Sequence, residues 1–247
     1  LLGAAAVKTG FSEAFDMEGY RAQLETATKD TQKAAKIMTY AMNYANKTPF
    51  EGGEVVEGAA KFESMGMSAK KWLTYTGDMA GATNKSFDQA VEALIDAQTG
   101  ELERLKEFGI TKRQIQEKAE KMFTNEQIVN NKGQITNQKK FNQAMLALME
   151  DKFAGGAAKQ AQTLKGAWST VTGTVKSALA NVMGMQSDGT VRAGSAFDII
   201  REKMIKLAEM LDKWQQDGTI DRIAEKVGNV FSKACNTAAD AIKWLKD

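Results

Sequence analysis

Apolar residues in the C-terminal part of the chain recur by threes and fours, and this spacing constrains the fold more than any other feature. Ala161, Leu164, Trp168, Val171, Val175, Ala178, Val182 and Met185 step by 3, 4, 3, 4, 3, 4, 3. After a Ser187-Asp188-Gly189 turn, Phe197, Ile200, Met204, Leu207, Leu211 and Trp214 step by 3, 4, 3, 4, 3. Beyond Asp217-Gly218, Ile220, Ile223, Val227, Val230 and Ala234 step by 3, 4, 3, 4. A half-buried strand alternates with period two, whereas this row lays one apolar seam along each of three helices. Ser195 is placed to cap the second helix, with Asp198 behind it in the first turn.

A seam needs something to cover it. Short Gly-containing turns favour consecutive helices packed as an antiparallel bundle, and the alternative is a coiled coil with other copies of the chain. The first helix leans toward the second answer. Its flanks hold Gly166, Ser169, Thr170, Thr172, Gly173 and Thr174, poor helix formers that stay helical only against a partner. On either reading the packing or oligomer interface comprises Leu164, Trp168, Val171, Val175, Val182, Ile200, Met204, Leu207, Leu211, Trp214, Ile223, Val227 and Val230.

Composition agrees with a mainly α chain and removes much chemistry. One proline, Pro49, among 247 residues leaves long stretches free to be helical. With 43% hydrophobic and 26% charged residues the sequence can bury a core. A net charge of +2 predicts neither nucleic-acid binding nor attachment to an anionic membrane, and no apolar run approaches the ~18 residues of a membrane span. There is no histidine, so a Ser-His-Asp triad, a Cys-His pair and any His-ligated metal are excluded. The single cysteine, Cys235, cannot form an internal disulfide and reads as a small packed thiol. No catalytic, cofactor or metal site is read from the sequence. The opening Leu1-Leu2-Gly3-Ala4-Ala5-Ala6-Val7 lacks a basic region before it, so it does not read as a complete signal peptide. The chain reads as a piece of something longer.

Four regions follow from the punctuation. Residues 1–47 read as a small-residue linker followed by an amphipathic helix on which Ala34, Ile37, Met38, Ala41, Met42 and Ala45 share a face, with Phe15–Tyr20 open to a short strand. Residues 48–122 read as a compact core of short helices. Thr48-Pro49-Phe50-Glu51 has the form of a capping box. Ser68, Ser86 and Thr111 sit as N-caps, and Gly66, Gly77, Gly100 and Gly109 as C-terminal stops. Residues 123–156 combine a small β-hairpin, with Gln127-Ile128-Val129 and Gln134-Ile135-Thr136 flanking Asn130–Gly133, and a helix through Phe141, Met145, Leu148 and Met149. Residues 157–247 hold the heptad-patterned helices.

Two local patterns invite an enzymatic reading. Glu63-Ser64 before Met65-Gly66 resembles the lone acid of lytic transglycosylases, which needs a carboxyl of raised pKa beside an apolar groove. The later segments of that family are missing, and a helix-edge carboxylate is the simpler meaning. Gly77-Asp78-Met79-Ala80-Gly81 lacks the spacing and Lys-Ser/Thr end of a phosphate loop, which leaves a helix stop with Asp78 capping the next turn. Glu101, Glu103 and Glu107 interleave with Arg104 and Lys106 and read as a solvated face.

Taken in order, several segments are similar to one family. Thr48-Pro49-Phe50, Glu54-Val55, Ala59-Ala60 and Met65-Gly66, then Trp72-Leu73 through Gly77-Asp78-Met79-Ala80, resemble the core of phage tail tape measure proteins. Gly100-Glu101-Leu102 through Leu105 to Gly109-Ile110 resembles that family's Gly-Glu-Leu-x-x-Leu-x-x-x-Gly-Ile signature. Phe141 through Phe153-Ala154-Gly155-Gly156 and Leu164 through Thr170 are similar to the segment that follows. The likeness covers roughly residues 14 to 190, and beyond Gly194 only a general helical continuation. It implies a non-enzymatic structural protein of a phage, prophage or phage-like bacteriocin tail. Such a protein occupies the tube lumen, sets tail length at ~1.5 Å per helical residue, and is made in the bacterial host cytoplasm before assembly. The partners implied are other copies of itself (a low-order oligomer, a trimer favoured), the tail tube protein, baseplate hub proteins and tail assembly chaperones, with no nucleic acid bound by this segment. A glycine-broken middle is a poor ruler, so the piece is expected near one end, at the baseplate or tip.

Overall fold

The computed structural model describes residues 4–124, 127–130 and 134–244. Eleven α-helices are placed among them: α1 Ala4–Thr28, α2 Thr31–Ala45, α3 Gly52–Ser64, α4 Ala69–Thr83, α5 Phe87–Thr99, α6 Lys112–Phe123, α7 Gln138–Phe153, α8 Gly156–Ala161, α9 Leu164–Met183, α10 Ala196–Gln216 and α11 Thr219–Trp244. A 3-10 turn, Arg104–Phe108, joins α5 to α6. Residues 1–197 form one compact unit and 198–247 a second.

The core of the first unit is organised around α3, which packs against α1, α2, α4 and α5. Val55, Val56, Gly58, Ala59, Ala60 and Phe62 are all buried, so this helix is apolar on most sides, as a central helix must be. On α1 a row of Gly10, Ala14, Met17, Arg21 and Leu24 faces inward at steps of 4, 3, 4, 3. Helix already covers the stretch that reads as a linker, and it runs through Phe15–Tyr20, so no strand forms there.

Arg21 occupies a core position, and its guanidinium explains how a charge sits there. Nε donates to Glu25 at 2.7 Å, and the two terminal nitrogens donate to the carbonyls of Thr31 and Asp188 at 2.8 and 2.6 Å. The fork therefore ties the start of α2 and the α9–α10 loop to α1. At Gly189 that loop adopts φ +79° so close to α2 that a Cβ would lie 2.4 Å from Met38 Sδ; only glycine fits. Phe197 completes the anchor, fully buried between Phe11 and Phe15.

The hairpin expected over Gln127–Thr136 is not there. No β-strand occurs among the described residues, and the pairing reduces to one isolated antiparallel bridge, Val129 with Ile135. Its Asn131–Gly133 turn lies outside the described residues. The amides of Ile128 and Val129 both donate to Gln116 Oε1 of α6, at 3.1 and 3.3 Å. The Ile128 donor that a longer ladder would draw on is thus taken by a helix side chain.

Three local expectations are also revised. Thr48 does not cap α3: its hydroxyl donates back to the carbonyls of Tyr44 and Ala45, closing α2, and Glu51 takes the N-cap position without a side-chain bond. Gly77 does not stop α4, which continues to Thr83. Its role is proximity, since a Cβ there would lie 1.9 Å from Tyr44 Oη. Asp78 caps no neighbouring turn; it reaches across to α8, where its two oxygens accept from the amides of Gly155 and Ala157, both at 3.1 Å. By contrast Ser86 and Thr111 form full capping boxes with Gln89 and Gln114.

Candidate functional site: exposed helical seams

Helix α9 lies along α1 and α8 and is turned in an unexpected direction. Its inward row is Gly166, Thr170, Gly173, Ser177 and Ala180, at steps of 4, 3, 4, 3, each buried or half-buried. Ser169 Oγ donates to the Pro49 carbonyl at 2.9 Å and Thr170 Oγ1 to that of Thr48 at 3.1 Å. Lys176 pairs with Glu51 at 3.1 Å. The small and hydroxyl residues expected to need a partner therefore find it in α1 and the α2–α3 loop of their own chain. Small side chains let the backbones approach, and the hydroxyls satisfy loop carbonyls left open at the end of α2.

The apolar row of the same helix points outward. Trp168 is 70% exposed and Val171, Val175 and Val182 are all more than half exposed. The side chain of Leu164 lies outside the described residues. Only at its C-terminal end, through Ala180 and Met183, does α9 bury hydrophobic groups, followed by Met185 just beyond it.

The second unit repeats this on its own helices. Ile200, Met204, Leu207 and Leu211 of α10 and Ile220, Ile223, Val227 and Val230 of α11 are exposed, and Trp214 is half-buried. Ile199, Ile205 and Met210 widen the apolar face of α10. The α11 side chains from Ala234 onward, Cys235 included, lie outside the described residues. Thus the described seam residues are helical as expected except Met185, which lies beyond α9, and most of them stand exposed while Met185 and Phe197 are buried.

The polar candidates are engaged in local structure. Glu63, its side chain only 8% exposed, accepts from the Ala69 amide at 2.8 Å and from Lys33 Nζ at 2.7 Å. It caps α4 from the preceding helix, a task that Ser68 leaves undone. Glu103 pairs with Lys106, Glu107 with Lys85, and Arg104 with Glu92 and Asp96. Among the described residues no group of His, Cys, Asp or Glu is placed to hold a metal ion. A polar cleft of ≈ 450 Å³ between α1, α3 and α9 contains Glu13, Asp16, Glu51 and Lys176. Burial there raises the Glu13 carboxyl above the usual range, with Lys176 opposing the rise and Asp16 and Glu51 adding to it.

Sequence reading missed Arg21 and the inward face of α9. Both carry a 4-3 spacing of their own, but Arg21 is a charge within its row and the α9 row is of glycine, alanine and hydroxyl residues, which a search for apolar periodicity passes over. Among the described residues no helix is long and apolar enough to cross a membrane. No family model, curated protein or solved structure matches the chain.

Proposed function

We propose that this chain is a structural piece of a phage or phage-like tail, part of the tape measure that occupies the tube lumen, and that it works by shape and self-association. The observation that supports the reading is the set of uncovered apolar rows. Eight seam side chains of α10 and α11 stand exposed. Covering each is worth about 1 kcal/mol, or ~8 kcal/mol gross per copy before association entropy is subtracted. A protein that kept those rows in water would carry a standing aggregation liability; one that packs them against identical rows gains a rod. The compact first unit then serves as a terminal body near the baseplate or tip, with tube, hub and assembly chaperones as partners.

Light scattering on the purified chain tests self-association. A mass at a small multiple of 26.9 kDa, about threefold for the favoured trimer, is expected. Leu207→Glu with Val227→Glu should return it to a monomer with an unchanged helical signal. A wild-type monomer at high concentration overturns the packing model. Deleting residues 154–247 from the full protein tests the assignment to the tail. Tails of normal length with intact tips would refute it.

A further inference from the structure

Two clefts adjoin at the α4–α5 turn, of ≈ 300 and ≈ 500 Å³, and Asn84, Gln160 and Thr163 line both. Together they make one groove between that turn, α8 and the first turn of α9. Four lysines stand around it: Lys85 and Lys165 on one side, Lys152 and Lys159 on the other. Lys85 is paired with Glu107, and Lys152 donates to the Gly109 carbonyl. Lys159 and Lys165 are exposed, and among the described residues neither ammonium has a hydrogen-bond or ion-pair partner. One carboxylate, Glu54, lines the groove. The helices α5 and α9 begin there and α4, α7 and α8 end there, so the positive charge of the groove comes from its lysines.

The walls are fixed. At the α4–α8 crossing a Cβ on Gly156 would lie 2.2 Å from the Asp78 carbonyl oxygen, and one on Gly81 2.7 Å from the backbone of Gly156. The Asp78 carboxylate clamps the same crossing. Asn84 holds a left-handed backbone, φ 53°, with its amide oxygen accepting from Gln160 Nε2 at 3.3 Å. Pro49, Ala82 and Ala154 supply apolar surface between the charged edges, over the buried rings of Phe50, Phe87 and Phe153. A groove with rigid walls, an apolar floor and cationic edges loses little entropy on binding an extended chain that alternates carboxylates with apolar side chains. Nucleic acid fits less well, because its uniform charge would leave the apolar floor unused and the chain carries a net charge of only +2.

We propose that this groove binds an acidic peptide segment of a partner protein, with Lys159 and Lys165 pairing its carboxylates. The inference stands independently of the tail reading. Fluorescence anisotropy with a labelled peptide rich in Glu and Leu tests it on the whole chain. Binding should weaken as salt rises and fall about tenfold or more in Lys159→Glu with Lys165→Glu. It should change less than twofold in Lys36→Glu with Lys121→Glu, which alters the net charge equally but elsewhere. Thermal melts of both variants guard against misfolding. Absence of binding at millimolar peptide, or equal weakening by the two charge reversals, would overturn the proposal. So would competition by single-stranded oligonucleotide or tripolyphosphate at least as strong as by unlabelled peptide.

Discussion

Helices α5 and α9 carry apolar rows of similar spacing and treat them in opposite ways. On α5, Phe87, Ala90, Val91, Ala93, Leu94 and Ala97 are all fully buried. On α9, Trp168, Val171, Val175 and Val182 face solvent while glycines, serines and threonines face the protein. Periodicity shows that a face exists, and its chemistry shows that it will be covered. What covers it is decided elsewhere. In α5 the neighbour is Gly58 of α3, where a Cβ would press on Phe87 and Val91 at 2.9 Å. In α9 the neighbour that comes close is α1, and it meets the small residues instead.

If glycine contacts set which face goes in, the largest effect should come where backbone meets backbone. Gly156→Val would force a branched side chain against the Asp78 carbonyl. A loss of about 4 kcal/mol or more is expected, lowering the melting temperature by roughly 10 °C or preventing folding. Gly173→Ala on α9 is the counterpart, since no atom lies within 4 Å of its added Cβ. Circular-dichroism melts should find it neutral or more stable by up to about 1 kcal/mol. Similar destabilisation by the two changes would show that Gly173 is as tightly packed as Gly156.

The apolar rows give the next contrast. Phe87→Ala should cost about 3–5 kcal/mol by emptying a closed part of the core. Val171→Ala should change the unfolding free energy of the dilute chain by no more than about 0.5 kcal/mol. A large cost for Val171→Ala in dilute denaturant titrations would mean that the row is already covered within one chain.

Smaller still are the two borrowed caps. Asp78→Ala leaves the amides of Gly155 and Ala157 without their acceptor, and Glu63→Ala leaves the start of α4 uncapped. Each should cost about 1–2 kcal/mol. Hydrogen exchange should speed up at α8 in the first variant and at the start of α4 in the second. Exchange that is faster everywhere by one common factor would replace the local account with a global one.

These caps mark where sequence reading reached its limit. Ser86 and Thr111 are legible because cap and capped amide lie three residues apart, inside one window. Asp78 and its amides are separated by 77 and 79 residues, so no local pattern could connect them. Helix positions and apolar rows were legible for the same local reason. The hairpin misled because Ile128, Val129 and Ile135 have strand propensity, while Gln116, in a different element, takes the amides. Of the candidate seams, spacing revealed the residues, and only packing could reveal that α9 presents its small-residue side to α1.

The smallest expected effect concerns charge at the α1–α9 contact. Glu13 faces Asp16 on its own helix, Lys176 on α9 and Glu51 before α3, and Lys8 lines the same cleft. Burial holds its carboxyl above the usual range, and burial does the same to Glu54 and Asp88 at the beginnings of α3 and α5. For an acid whose folded value is raised, the folded state binds the extra proton. Its contribution is therefore unfavourable at neutral pH and is relieved as the pH falls through the raised value toward the ordinary one. Asp188 runs the other way: burial would raise it, but the hydroxyl and amide of Thr190 outweigh burial and hold it low, so its contribution is lost only at more acid pH. Melting temperature should accordingly rise slightly on mild acidification from neutrality before ordinary acid denaturation begins. Glu13→Gln should remove part of that rise and, because partial exposure screens the group, shift the neutral-pH melt by no more than about 2 °C. A melt that falls steadily from pH 7 downward would mean that attraction to Lys176 outweighs burial, and that the α1–α9 contact is held by charge as well as by hydroxyls and small residues.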